Sequence, residues 1–146
     1  MSRVSEALRV LRVIAGGRPF GLEVSAVQGV ERPVRWTRLP GAPEYVRGVV
    51  EMRGQAVPVI DLGVRIGLRG ALPIWPDQGV VLIDSDEPVG LAVEQIVGVE
   101  ELGPGSLERI PEGAAAGVRG RARDGLLVLE AEALVDGRPL VAVEPA

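Results

Sequence analysis

The chain has 146 residues, 47% of them hydrophobic and 25% charged, and its formal net charge is -4. That places it among globular single domains rather than disordered chains, and gives no general attraction to nucleic acid or anionic lipid. It contains no cysteine and no histidine, and every basic residue is Arg, so disulfides, thiolate metal sites and histidine acid-base chemistry are excluded.

The opening stretch MSRVSEALRVLRVIAGG has Glu6, Arg9 and Arg12 among its apolar residues, unlike a signal peptide or an anchor. Nothing elsewhere approaches the ~20 apolar residues of a membrane span, so a soluble protein with no direct membrane insertion is expected, and the absent cysteine permits a reducing cytoplasm. From there, short Val-rich runs alternate with turn signals. LRVLRVI leads through AGGRP to FGLEVSAVQGV; VRGVVEM and AVPVID meet at an Arg-Gly-Gln turn; GVVLI leads through DSDEP to VGLAVEQIVGV; and LLVLEAEALV follows RGRARDG. Runs of this length, punctuated by Gly, Pro and Asp, read as strands of an all-β protein. Pro58 marks an edge or bulged strand. Two short helical segments are expected, over 61–67 and over 130–135, the second ending before Gly137.

The runs also repeat. FGLEVSAVQGVE at 20–31 and VGLAVEQIVGVE at 89–100 share Gly, Leu, Val, Gly, Val and Glu in register, at an offset of 69. VRG at 46–48 recurs at 118–120, at an offset of 72. Such self-similarity points to two tandem β-units. Each alone would bury too little surface, so the two should pack through an apolar seam, with Val27 and Ile96 matched and buried beside it. A groove along such a seam is a natural binding place.

Candidates for chemistry are sparse. Ser25, Ser85 and Ser106 lack an evident activating base, and the carboxylates are scattered, which leaves only a small carboxylate enzyme as a catalytic alternative. DSDEP has Pro88 and Val89 where a calcium loop needs a ligand and a Gly, so it reads as a hairpin turn. Arg119, Arg121 and Arg123 have strand spacing on one face, as a nucleic-acid-binding barrel would. They have no aromatic platform beside them, and a solvated strand is the preferred reading. In the hairpin at 46–62, Val49, Glu51 and Arg53 share one face, and Val50 and Met52 the other. Gly54-Gln55 suits a two-residue turn, with Arg53 at its shoulder.

PEYVRGVVEMRGQAVPVIDLGVRIG resembles the signature of CheW-like domains, in which Pro and Gly-Val precede Asn-Leu-Arg-Gly, an apolar strand, a Pro and Asp-Leu. The similarity extends to VIAGGRPFGLEVSAVQGV, VGLAVEQIVGV and LLVLEAEALV, covering nearly the whole chain. The resemblance implies two SH3-like five-stranded β-barrel subdomains in one domain over 1–146, the first over about 15–77 and the second over about 1–14 plus 78–146. It implies a non-catalytic adaptor without cofactor or metal, coupling chemoreceptor tips to the regulatory domain of the histidine kinase CheA, or serving a related pathway such as type IV pilus motility. The receptor- and partner-binding residues it implies are Val27, Gly29, Val30, Glu51, Met52, Arg53 and Gly54, with receptor tips docking in the inter-barrel groove beside Arg53. Two positions depart from the pattern: Glu51 replaces the family's Asn, and Gly29 stands where a Glu is frequent. An acid moved from one place to the other within a single patch would let Glu51 orient Arg53.

Overall fold

Strand β1 (Leu8–Ala15) buries Val10 on one face and Leu11, Val13 and Ala15 on the other. A strand covered on both faces needs apolar residues at consecutive positions, which is why this run lacks clean alternation. The structure, a computed structural model, describes residues 7–32, 35–52, 54–68, 79–110 and 117–135. After β1 come β2 (Arg18–Glu23), β3 (Val27–Glu31), β4 (Trp36–Thr37), β5 (Val46–Met52), β6 (Gln55–Asp61) and the helix α1 (Leu62–Arg65). The second half contains β7 (Val80–Ile83), β8 (Val89–Ala92), β9 (Gln95–Leu102), β10 (Leu107–Arg109), β11 (Val118–Ala122), β12 (Leu127–Leu129) and α2 (Ala131–Val135). The class is all-β, and both short helices lie where the sequence puts them.

The strands form two six-stranded sheets, ordered β10-β11-β12-β2-β1-β9 and β3-β7-β8-β6-β5-β4. Read from the far end, the second order repeats the first: β4, β5, β6, β8, β7 and β3 answer β10, β11, β12, β2, β1 and β9. The repeat therefore holds, but the two hairpins are exchanged. β1–β2 joins the sheet built from the second half, and β7–β8 joins the sheet built from the first. Parallel ladders make both joins, Leu129 beside Leu22 and Ile60 beside Leu91. β1 thus lies with strands of the second half and takes β2 with it, while β7 and β8 lie with strands of the first half. A short turn keeps β2 with β1, and the chain first changes sheets at a 3₁₀ turn, Val24–Ala26, that interrupts the expected run of 20–31; it changes back between β8 and β9.

The sheets are open rather than closed five-stranded barrels. β3 and β4 are the edges of one, and β9 and β10 the edges of the other. β4 has two residues and β10 three, too few to close a ladder. One face of each sheet encloses a cluster of its own, Val50, Met52, Val57, Val59, Val80, Leu82 and Ala92 in the sheet built from the first half and Val10, Leu107, Ala122, Leu126 and Val128 in the sheet built from the second half. The other faces meet in a shared core that includes Leu11, Val13, Phe20 and Leu22 from one sheet and Ile60, Val81, Ile83 and Leu91 from the other. Val27 and Ile96 are half-buried and pack against this shared core.

Local irregularities repeat as well. The β5–β6 ladder skips a residue between Val46 and Gly48, and the β11–β12 ladder skips one between Val118 and Gly120. The arginine of each VRG is thus the bulged residue. The following glycine lets another strand's backbone pass close by: a Cβ at Gly48 would collide with the Thr37 carbonyl, and one at Gly120 would stand 2.6 Å from that of Glu108.

Candidate functional site

The β5–β6 hairpin alternates as its sequence requires. Val50 and Met52 face the inner cluster, and Glu51 faces solvent opposite Ala56. The strands meet at the pair Met52–Gln55, so Gln55 belongs to β6 rather than to the turn. Gly54, at φ +77, takes the left-handed conformation that a tight turn needs and that glycine adopts without strain. Glu51, Gly54, Gln55 and Ala56 are exposed at this end. Arg53 lies outside the described residues. Met52, also in the expected set, is 5% exposed and packs into the inner cluster beneath the hairpin.

The other expected residues lie on β3. Val27 and Gly29 are half-buried, and Val30 is 45% exposed. β3 pairs with β7 alone, so it is an edge strand, and β7, β8 and β6 separate it from β5 in the hydrogen-bonded order. Gly29 and Glu51 are consequently not strand neighbours, and the expected residues fall into two groups on one sheet. A seam groove of about 680 Å3 opens beside Ser25 and Ala26, just before Val27. Ile83, Val89 and Val135 give it apolar wall, and Asp84, Asp86, Glu87 and Glu132 give it four carboxylates. Ser85 donates to the Glu87 carbonyl within this turn. DSDEP is thus the hairpin turn expected of it, joining β7 to β8. Among the described residues no group of three or more acids is arranged to hold a metal ion. On β9, the other long edge, Val97 and Val99 are 52% and 53% exposed.

Three arginine sites were not anticipated. Arg12 on β1 donates to Glu100 at 2.8 Å and to Asp124 at 2.7 Å, joining β9 and the β11–β12 turn. Those hydrogen bonds, first from Glu100 and then from Asp124, push the Arg12 pKa above its ordinary value; Arg12 and then the Leu126 N–H hold the Asp124 carboxyl below its own. The bulged Arg47 lies 3.9 Å from the buried Asp61, whose side chain also accepts from the Val64 N–H as the N-cap of α1. Arg65 crosses to the other half and donates to the carbonyls of Leu134 and Ala133. Only the N-cap left a sequence signal, in Asp preceding the short run LGVR. Arg119 and Arg121 lie on β11, where Arg119 meets Glu23 at 3.2 Å while Arg121 is exposed.

The geometry defines a β-module of two interlocked sheets, with distinct surfaces at the hairpin end, the seam groove and the strand edges. The model of the CheW-like domain matches residues 9–138, and the chain belongs to that family. It is 29% identical over 115 residues to the chemotaxis protein CheW of Rhizobium meliloti strain 1021, covering 79% of this chain and 74% of that protein. It is 28% identical over 105 residues to CheW of Bacillus subtilis strain 168, covering 72% and 67%. With CheW of Helicobacter pylori strain ATCC 700392 / 26695 it shares 23% identity over 107 residues, 73% of this chain and 65% of that one. The crystal structure of the scaffolding protein TtCheW from Thermoanaerobacter tengcongensis superposes with a TM-score of 0.77 at 26% identity, covering 91% of this chain and 98% of that one. Among the described residues no helix is long and apolar enough to cross a membrane.

Proposed function

We propose that the chain is a non-catalytic adaptor of bacterial chemosensory signalling, which couples chemoreceptor tips to the regulatory domain of the histidine kinase CheA. The observation that carries this reading is the family match across 9–138, joined to a fold like that of a CheW scaffolding protein. An adaptor needs separate docking surfaces on one rigid body, and two sheets fused around a shared core provide one. The receptor surface takes in Glu51 and Gly54 at the exposed hairpin end, Arg53 as the residue that matches the family's Arg-Gly, and Val27, Gly29 and Val30 at the β3 edge. The protein works in the cytoplasm, held at receptor arrays through its partners. Which receptor and kinase it meets decides whether swimming or pilus motility is served.

The test is a pull-down of the intact chain against a receptor tip and against the kinase regulatory domain. Replacing Arg53 with Ala should weaken receptor capture by about 2 kcal/mol, as loss of a charged group at an interface does, and leave kinase capture unchanged. Unchanged receptor capture would remove Arg53 from the interface. Failure to bind either partner would overturn the adaptor reading.

A further inference from the structure

Far from the hairpin tip, at the start of β5, a cavity of about 380 Å3 opens between Arg38–Pro40 and Val46–Arg47. Three apolar residues, Leu39, Pro40 and Val46, line it together with two arginines, Arg38 and Arg47. Arg47 occupies this place because it is the bulged residue of β5, out of register with β6. Its side chain is only 11% exposed, and its buried Nε has no hydrogen-bond partner. The balancing carboxylate, Asp61, stands 3.9 Å from that Nε and also accepts from the Val64 N–H. Burial lowers the Arg47 pKa; Asp61 opposes that shift and Arg38 adds to it. A buried cation so weakly compensated gains more from an incoming anion than a solvated arginine does. Arg32 and Arg35 precede Arg38 along the same stretch, in a chain of net charge -4.

The volume lies near the lower end of the ~300–1,000 Å3 typical of ligand pockets, which suits one side chain rather than a nucleotide. We propose that this cavity is a docking socket for the carboxylate of a Glu or Asp in an acidic partner segment, gripped by Arg38 and Arg47 while its methylene stem lies on Leu39, Pro40 and Val46. The socket is ~17 Å along β5 from Met52, so it acts independently of receptor docking at the hairpin. Two partners can then occupy one sheet together.

Arg47 reports its own occupancy without being mutated. In the full chain labelled with 15N, the Arg47 Nε–H resonance is followed while a capped peptide Leu-Glu-Leu-Glu, the matching Leu-Gln-Leu-Gln peptide or inorganic phosphate is added. The Glu peptide should give a saturable shift, with the Gln peptide and phosphate about tenfold weaker, as expected on losing a charge-assisted hydrogen bond. Arg38 is exposed, so Arg38→Gln should keep the native amide spectrum and lower Glu-peptide affinity by a similar factor. Equal shifts with the Gln peptide, a stronger response to phosphate, no saturable shift, or undiminished affinity in Arg38→Gln would each overturn the socket.

Discussion

Arg65 Nε donates to the carbonyl of Leu134 at 2.8 Å, tying α1 of the first half to α2 of the second. Its Nη2 reaches the Ala133 carbonyl at 3.2 Å, and the Tyr45 ring lies 4.9 Å from the guanidinium. The last carbonyls of a helix have no partners within it and carry its negative end, so a buried cation there meets both needs. Replacing Arg65 with Met keeps the stem and strands two acceptors. Stability should fall by about 2–4 kcal/mol, read as a lower urea midpoint. Lys, with a point charge rather than a planar fork, should recover only part of that. A Met variant as stable as the parent would mean that the clasp contributes nothing.

Gly48 and Gly120 differ in backbone although they are matched in the repeat. Gly48 has φ +145, where a side chain is strained, and the crossing Thr37 carbonyl leaves no room for a Cβ. For Gly120 the obstacle is the Glu108 carbonyl and the Leu107 side chain. Alanine at either position should lower stability by at least ~1–2 kcal/mol, with Gly48→Ala the worse, since strain adds to the clash. Thermal melts of the two variants give the comparison. Equal losses would show that the close approach alone governs both sites.

The repeat and both helices were legible because they rest on local pattern, as in the two VRG segments and in Asp61 preceding LGVR. The hairpin exchange rests instead on long-range strand pairing. Both exchanged hairpins contain runs buried on two faces, LRVLRVI and VVLI, and such a run pairs equally well with either sheet. The Arg65–Leu134 clasp spans 69 residues and is likewise invisible to local reading. Met52 was legible in part, because alternation with Val50 already turned it inward; the family motif drew it into the docking set.

Acid should loosen the Arg12 bridge through Asp124. The Asp124 pKa is lower in the folded chain than in the unfolded one, chiefly because of the Arg12 hydrogen bond and next that of the Leu126 N–H. A depressed acid contributes stability above its unfolded pKa, near ~3.9, and loses it as pH falls through the folded value. Asp124→Asn should therefore flatten the acid limb of a stability-pH curve below about pH 4. At neutral pH it should cost less than ~1 kcal/mol, since the Asp124 side chain is 58% exposed and screened. Melting temperatures from about pH 3 to pH 7 test this, and parallel curves for parent and variant would remove Asp124 as a contributor.

The exchanged hairpins imply that neither half folds without the other. β1–β2 supplies Val10, Val13, Phe20 and Leu22, all fully buried, to the shared core and to the inner cluster of the sheet built from the second half. At ~1.5–3 kcal/mol per buried side chain, these four account for about 6–12 kcal/mol, comparable to the ~5–15 kcal/mol of an entire domain. A fragment of residues 24–146 should consequently lack a cooperative melt. A synthetic peptide of residues 7–23 should restore it in trans, because β2 joins its sheet through β12 and β1 continues to β9, both within the larger fragment. Titrating the peptide while following far-UV circular dichroism should give a saturable return of strand signal. A Leu22→Asp peptide should fail, since it would bury an unpaired charge. Native-like melting of the 24–146 fragment alone would show that the sheet built from the second half closes its core without the borrowed hairpin.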